Sequence, residues 1–228
     1  MIPYVSVAGT WAYKNRFDIN AWWQPTSPFA EMMTREDFIS IDPKAFLWTT
    51  DVNGSEGWRR WFDWLPFVDS TGDQRDWEVG GHWLDRYCAP VIGRPFVVIA
   101  HSHGGQLAKF AAYHGLFIPV LITIATPVRL LQAEVSEGEC EDILQKMRAN
   151  IGYWIHLHSG WDDKMQWLGQ FGDGVIRSNR SEPYADLNIT VPANRHSRIL
   201  AADDLMKLWI EQGWLDIVRQ VISPREVA

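Results

Sequence analysis

The sequence predicts an α/β protein: a mostly parallel sheet of about six strands, helices on both faces, and no separate cap domain. Three observations carry that expectation. Short β-branched runs recur between longer segments whose apolar residues fall at helical spacing. One of these runs, Phe96 to Ala100 (FVVIA), is almost continuously apolar, as a parallel strand covered on both faces requires. Finally, 228 residues, 46% hydrophobic and 21% charged, suit one large domain over 1–228 better than two.

Taken in order, Ile2 to Val7 (IPYVSV) reads as the first strand, ending at Ala8-Gly9. The segment SPFAEMMTREDF reads as a helix running through Phe38. Ser27 is its N-cap, and Pro28 stands at the first helical position, where a missing N–H is harmless. Ala45 to Thr50 (AFLWTT) reads as the second strand, closed by the turn residues DVNGSEG. DWEVGGHWLDRYCAPVI has helical spacing, although Gly80-Gly81 lowers its intrinsic propensity. After FVVIA, QLAKFAAYHG reads as a helix closed by Gly115. Val120 to Ala125 (VLITIA), Tyr153 to Leu157 (YWIHL) and Leu187 to Val191 (LNITV) complete the strands, with a helix in the second half of LLQAEVSEGECEDILQKMRANIG. The tail AADDLMKLWIEQGWLDIVRQVISP reads as one long helix, or two short ones broken at Gly213, stopped by Pro224.

Composition narrows the function. A net charge of -7 and a pI near 5.5 repel phosphate backbones, so no nucleic-acid partner is expected. MIPYVSVAGTW has no basic n-region, so no signal peptide is expected, and no apolar run approaches bilayer-spanning length. Cys88 and Cys140 form no C-x-x-C and no disulfide framework, which points to a reduced, cytoplasmic setting. Fourteen tryptophans include Trp58, Trp61, Trp64, Trp77 and Trp83. They read either as core packing or as an aromatic-walled cleft for an acyl chain or sugar ring. The stretches 58–77 and 167–184 read as loops that act as partial lids or stay static.

The chemistry concentrates in VVIAHSHGGQLAKF, residues 97–110. A serine hydroxyl is a poor nucleophile until a base takes its proton and a third group orients that base. It also needs two N–H donors aimed at the oxyanion formed on attack. A tight strand–turn–helix exposes the hydroxyl of Ser102 and points the next backbone N–H, that of His103, into the site. Small residues at Ala100 and Gly104, with Gly105 beyond, let strand and helix approach closely.

AHSHGG resembles the nucleophile elbow of the α/β-hydrolase family, in particular its lipase and esterase branch, whose usual form is G-x-S-x-G. The chain departs from that form at Ala100, which the packing tolerates. The resemblance implies a nucleophile, an acid and a histidine in that order, each after a successive strand. Asp162 and Asp163 follow YWIHL; Asp163 is preferred because D-x-apolar-Q resembles the acid-bearing loop of related hydrolases, with Asp162 as the alternative. His196, in PANRHSRIL, is the sole histidine beyond those aspartates. The loop VSVAGTWA resembles the H-G-x-x loop of lipases, with Ala8 where histidine often sits. It implies the Thr10 N–H as the second oxyanion donor beside that of His103.

The expectation is therefore a serine hydrolase acting on a small-molecule carboxylic ester or acyl substrate through Ser102, His196 and Asp163, with no cofactor. Two other readings stay open. The pairs His101/His103 and His156/His158 can each place two imidazoles on one side of a strand, as a metal-dependent hydrolase would need. The fold can also serve as an acyl- or glycan-binding module without turnover, since fold alone never proves activity.

Overall fold

The computed structural model describes residues 1–9, 21–24, 26–41, 71–102, 104–126, 137–158, 181–191 and 209–222, with the side chains of 71–79 and 137–141 outside that set. Among the described residues, six strands form one sheet: β1 (Ile2–Val7), β2 (Phe38–Ser40), β3 (Val97–His101), β4 (Ile118–Ile124), β5 (Ile151–His158) and β6 (Leu187–Thr190). Their order is β2-β1-β3-β4-β5-β6, and every neighbouring pair is parallel. The helices are α1 (Pro28–Arg35), α2 (Thr71–Cys88), α3 (Gly104–Tyr113), α4 (Glu137–Ala149) and α5 (Trp214–Ile222). The sheet grows to one side of β1 with β2 and to the other with β3 onward. That reversal puts a topological switch point between β1 and β3, where open parallel sheets hold their ligands.

Alternation along the strands produces two cores. Val5, Val98, Leu121 and Trp154 lie in register across β1, β3, β4 and β5. They pack against Leu84 of α2, Leu107, Ala108 and Ala111 of α3, and Met147 of α4. One residue earlier, Tyr4, Val97 and Val120 face the opposite way, toward Phe29 and Met33 of α1 and Trp214, Leu215 and Val218 of α5. Helices thus cover both faces, as the apolar FVVIA run requires: every residue of β3 is buried. This is the architecture expected from the α/β-hydrolase resemblance. Among the described residues, no helix is long and apolar enough to cross a membrane.

Several local expectations hold. Ser27 caps α1, accepting the Ala30 N–H at 3.1 Å, with Pro28 next to it. Helical residues lie on both sides of Gly213, whose φ is 70°, so the tail breaks there. Gly80 and Gly81 sit inside α2 because α3 leaves no space for a side chain: a Cβ on Gly81 would lie 2.9 Å from the Ala111 nitrogen.

Others are corrected. The first helix stops at Arg35, and Asp37 adopts a left-handed φ of 64°. Phe38 consequently belongs to β2, an edge strand of three residues, where its ring is fully buried. Nothing local in PFAEMMTREDF announces that turn, and the three residues of β2 are too few for strand alternation to show. Residues 71–77, read as part of a lid-like loop, begin helix α2; the strand expected at 45–50 and the stretches 58–70 and 167–180 lie outside the described residues. Glu182, at the end of the second lid-like stretch, is anchored in the interior.

Its partner is Lys109, which the helical pattern of α3 turns into the α2–α4 core. The ammonium meets the Glu182 carboxylate at 2.6 Å, with the two side chains 0% and 3% exposed, and lies 5.0 Å from the Trp154 ring centroid. Asn188 of β6 brackets Glu182, accepting its N–H at 2.7 Å and donating to its carbonyl at 3.0 Å. The pair therefore ties the helix that follows Ser102 to the strand that precedes the His196 segment. Removing one partner strands a buried charge, so Lys109→Met or Glu182→Gln should each cost about 3–5 kcal/mol in urea unfolding. The double variant Lys109→Met/Glu182→Leu should recover most of that loss. A double variant no more stable than the singles would refute the stranded-charge account.

Alkaline pH should loosen the same fold. Burial pushes the Tyr4 hydroxyl from an ordinary 10.0 to about 12. Burial, helped by the nearby Asp85 charge, pushes the Cys88 thiol from an ordinary 9.0 to about 12. Each group keeps its proton in the folded chain at a pH where the unfolded chain has released it. Stability from both is therefore full below about pH 9 and is lost as pH rises toward about 12. Urea unfolding at about pH 8 and about pH 10.5 measures the slope, and equal midpoints would contradict it.

Candidate active site

β3 ends at His101 and α3 starts at Gly104, leaving a very tight turn at Ser102. Ser102 has a φ of 55°, left-handed for a residue with a side chain. Such a conformation costs roughly 1–2 kcal/mol and persists only where the surroundings impose it. Here they do. The Ser102 N–H donates to the Ile124 carbonyl at 2.9 Å, and the Ser102 carbonyl accepts from the Gly105 N–H at 3.0 Å.

The two glycines explain why α3 can start so abruptly. A Cβ on Gly104 would stand 2.6 Å from the carbonyl oxygens of both Val7 and Ala8. A Cβ on Gly105 would stand 2.1 Å from Thr126 Oγ1. The first turn of α3 is wedged between the ends of β1 and β4, touching backbone on one side and the Thr126 side chain on the other. Ala100, the departure from the usual motif, is fully buried between its register partners Val7 and Thr123.

On the β1 side, a Cβ on Gly9 would lie 3.0 Å from Ser102 Cβ. The serine turn and the loop leaving β1 thus meet across the switch point. His101 points to the opposite face from α3, and its ring meets Trp22 edge-on with centroids 6.4 Å apart. His101 and Ser102 are each 7% exposed.

Beside them, β4 ends in a second strained turn. Ala125 has a φ of 47° and donates its N–H to the Leu157 carbonyl at 2.8 Å. Thr126 follows, fully buried, and its hydroxyl has no hydrogen-bond partner among the described residues. The sequence marks Thr126-Pro127 after a strand, yet nothing local announces a left-handed alanine. Trp22 also escaped notice as a site neighbour, since its contact with His101 spans most of the chain between them.

The pair His156/His158 has other occupations. Trp154 Nε1 donates to Thr123 Oγ1 at 2.8 Å, and that hydroxyl faces His156 Nδ1, also at 2.8 Å. His158 Nε2 is 3.3 Å from Thr190 Oγ1. The two rings stack with centroids 5.8 Å apart and planes 17° apart. Among the described residues, no group of three or more His, Cys, Asp or Glu side chains is placed to hold a metal ion.

Of the residues expected to carry chemistry, Ser102 is placed at a strand end on the switch point. Thr10, His103, Asp162, Asp163 and His196 lie outside the described residues. β5 and β6 end at His158 and Thr190, so the segments toward the aspartates and toward His196 leave the sheet at its carboxyl end, as Ser102 does.

The strain reading is testable on stability alone. Ser102→Gly should hold or raise stability by up to about 1 kcal/mol, because glycine adopts this φ freely. Gly104→Ala should instead destabilise by about 1–3 kcal/mol through overpacking against the β1 carbonyls. Urea midpoints decide both, and a clearly destabilised Ser102→Gly would refute imposed strain at the turn.

No family model matches the chain, and no curated protein matches it. Among solved structures, one titled "Structure of MenH from S. aureus" aligns over 96% of this chain and 94% of that one, at 14% identity and a TM-score of 0.49.

Proposed function

We propose that the chain is a serine hydrolase that cleaves small-molecule carboxylic esters through an acyl-enzyme intermediate. The observation that carries this reading is the left-handed Ser102, φ 55°, held at the carboxyl end of β3 opposite Gly9 of the β1 loop. Strain of this kind is retained where it positions a functional group. A turn needed only for connection would be relaxed by glycine at that position.

In this reading Ser102 Oγ attacks the ester carbonyl carbon while His196 accepts its proton. Asp163 holds the histidine in the tautomer that can accept, with Asp162 as the alternative. The carbonyl oxygen takes the negative charge and is stabilised by the Thr10 and His103 N–H groups. Collapse expels the alcohol, which takes the proton back from His196 and leaves an acyl-serine. Water, deprotonated by His196, then attacks that ester, and the acid departs as Ser102 regains its proton. A cytoplasmic setting goes with this reading.

Ser102→Ala should lower hydrolysis of a short p-nitrophenyl ester by at least about 10⁴-fold and abolish labelling by a fluorophosphonate, with the urea midpoint little changed. Asp163→Asn should fall comparably, and a larger loss in Asp162→Asn would shift the acid to Asp162. Retained hydrolysis in Ser102→Ala would end the assignment. Intact protein that the fluorophosphonate never labels would favour a binding module.

A further inference from the structure

We propose that the indole N–H groups of Trp22 and Trp23 are a donor pair for a neutral acceptor oxygen that the substrate carries apart from its reacting ester. This deepens the serine-hydrolase reading above and rests on it. Both indole nitrogens are buried, and among the described residues neither has a hydrogen-bond partner. Trp22 as a whole is 7% exposed, and Trp23 is half-buried. A buried donor left unpaired has given up its bonds to water and gained none in return. Folded chains satisfy nearly all such groups, so two on consecutive residues call for a partner.

Packing does not account for them. The rings that Trp22 meets are Trp23, Phe29 and His101, with centroids 6.0, 5.4 and 6.4 Å away. An aromatic wall of this kind can be built from phenylalanine without stranding a donor. The pair also stands close to the proposed nucleophile. His101 is the last residue of β3, so the ring that Trp22 touches belongs to the residue just before Ser102.

The turn that presents the two indoles is held in place. The Gln24 N–H donates to the Ala21 carbonyl at 2.9 Å, and the Trp22 carbonyl accepts the hydroxyl of Ser27 at 2.6 Å. That same Ser27 side chain caps α1. Donors fixed in this way before a ligand arrives lose little freedom on binding it. The two rings meet edge-on at 85°, and one small molecule can span the distance between them.

Indole N–H donates and never accepts, so the group it meets must be an acceptor. The rings around Trp22 supply no fixed positive charge, and a carboxylate brought there would lose more hydration than two neutral donors return. A ketone, amide or ether oxygen is matched. The substrate class is thus an ester whose largely apolar body carries one further neutral oxygen. Such a group enters past Trp23, and turning one half-buried side chain is an ordinary response to a ligand.

Paired esters test this on either side of the reacting bond. p-Nitrophenyl hexanoate is compared with the same ester bearing a ketone near the far end of its acyl chain. Pentyl butanoate is compared with the same ester bearing a ketone near the far end of its alcohol. Each rate is divided by that of hydroxide on the same ester, which removes differences in intrinsic reactivity. On one of the two sides, kcat/KM for the keto ester should exceed that of the plain ester by at least about tenfold. Trp22→Phe and Trp23→Phe should each cut that ratio at least about threefold, and the double variant should bring it to about one. A purely structural defect would lower both esters together and leave the ratio standing, which overturns the proposal. So does a ratio near one on both sides in the unaltered chain, since the two N–H groups then serve water alone. Should the variants fail to fold by circular dichroism, the assigned indole N–H resonances of the unaltered chain decide. Methyl butyl ketone should shift both, and a shift at fewer than both overturns the proposal. A chain that no fluorophosphonate labels and that hydrolyses none of these esters brings down the hydrolase reading with this inference. A chain that is labelled and hydrolyses them without preference brings down the inference alone.

Discussion

The site depends on how closely α3 approaches the sheet. Its first turn fits between the ends of β1 and β4, where Gly104 leaves no room above the Val7 and Ala8 carbonyls and Gly105 leaves none beside Thr126. With the helix start fixed there and β3 fixed by pairing on both sides, a very short link must turn the chain. The left-handed Ser102 is the geometric remainder of that constraint. The close approach to Gly9 and the placement at the switch point both follow from it.

Behind that turn, the same helix carries a second commitment. Lys109 is directed into a buried interface, and its charge is met by Glu182 and the face of Trp154. A buried ion pair of this kind is weak evidence for stability, since apolar residues of equal volume often do as well. Its effect is geometric: it admits one arrangement of α3 relative to the 182–188 turn and β6. The Thr123–Trp154–His156 hydrogen bonds act likewise on the same side of the sheet, fixing side chains on β4 and β5 relative to each other.

Legibility followed locality. The serine turn was readable because all its determinants fall within VVIAHSHGGQLAKF, and the same was true of the Ser27-Pro28 cap. The parallel character of the sheet was readable because β1, β3, β4 and β5 are β-branched runs set between stretches of helical spacing. β2 was misread, since three residues leave no period to detect. Lys109 looked like an ordinary helix residue because its partner lies 73 positions away. His101 could not be assigned from sequence for the same reason: its neighbours, Gly9 and Trp22, come from distant stretches. The expectations for Asp163 and His196 rest on an order of residue types along the chain, which is a different kind of information from geometry, and both lie outside the described residues.

The contact between Gly9 and Ser102 has a consequence for how this chain can vary. The two positions are far apart in sequence, yet they share a gap too narrow for a second Cβ. Gly9 has no side chain to offer, yet a substitution there pushes directly on Ser102. A survey of substitutions scored only by function would rank Gly9 with residues that react, and a count of chemical groups would omit it. In evolutionary terms Ser102 carries a silent partner: the freedom of position 9 to change is set by position 102.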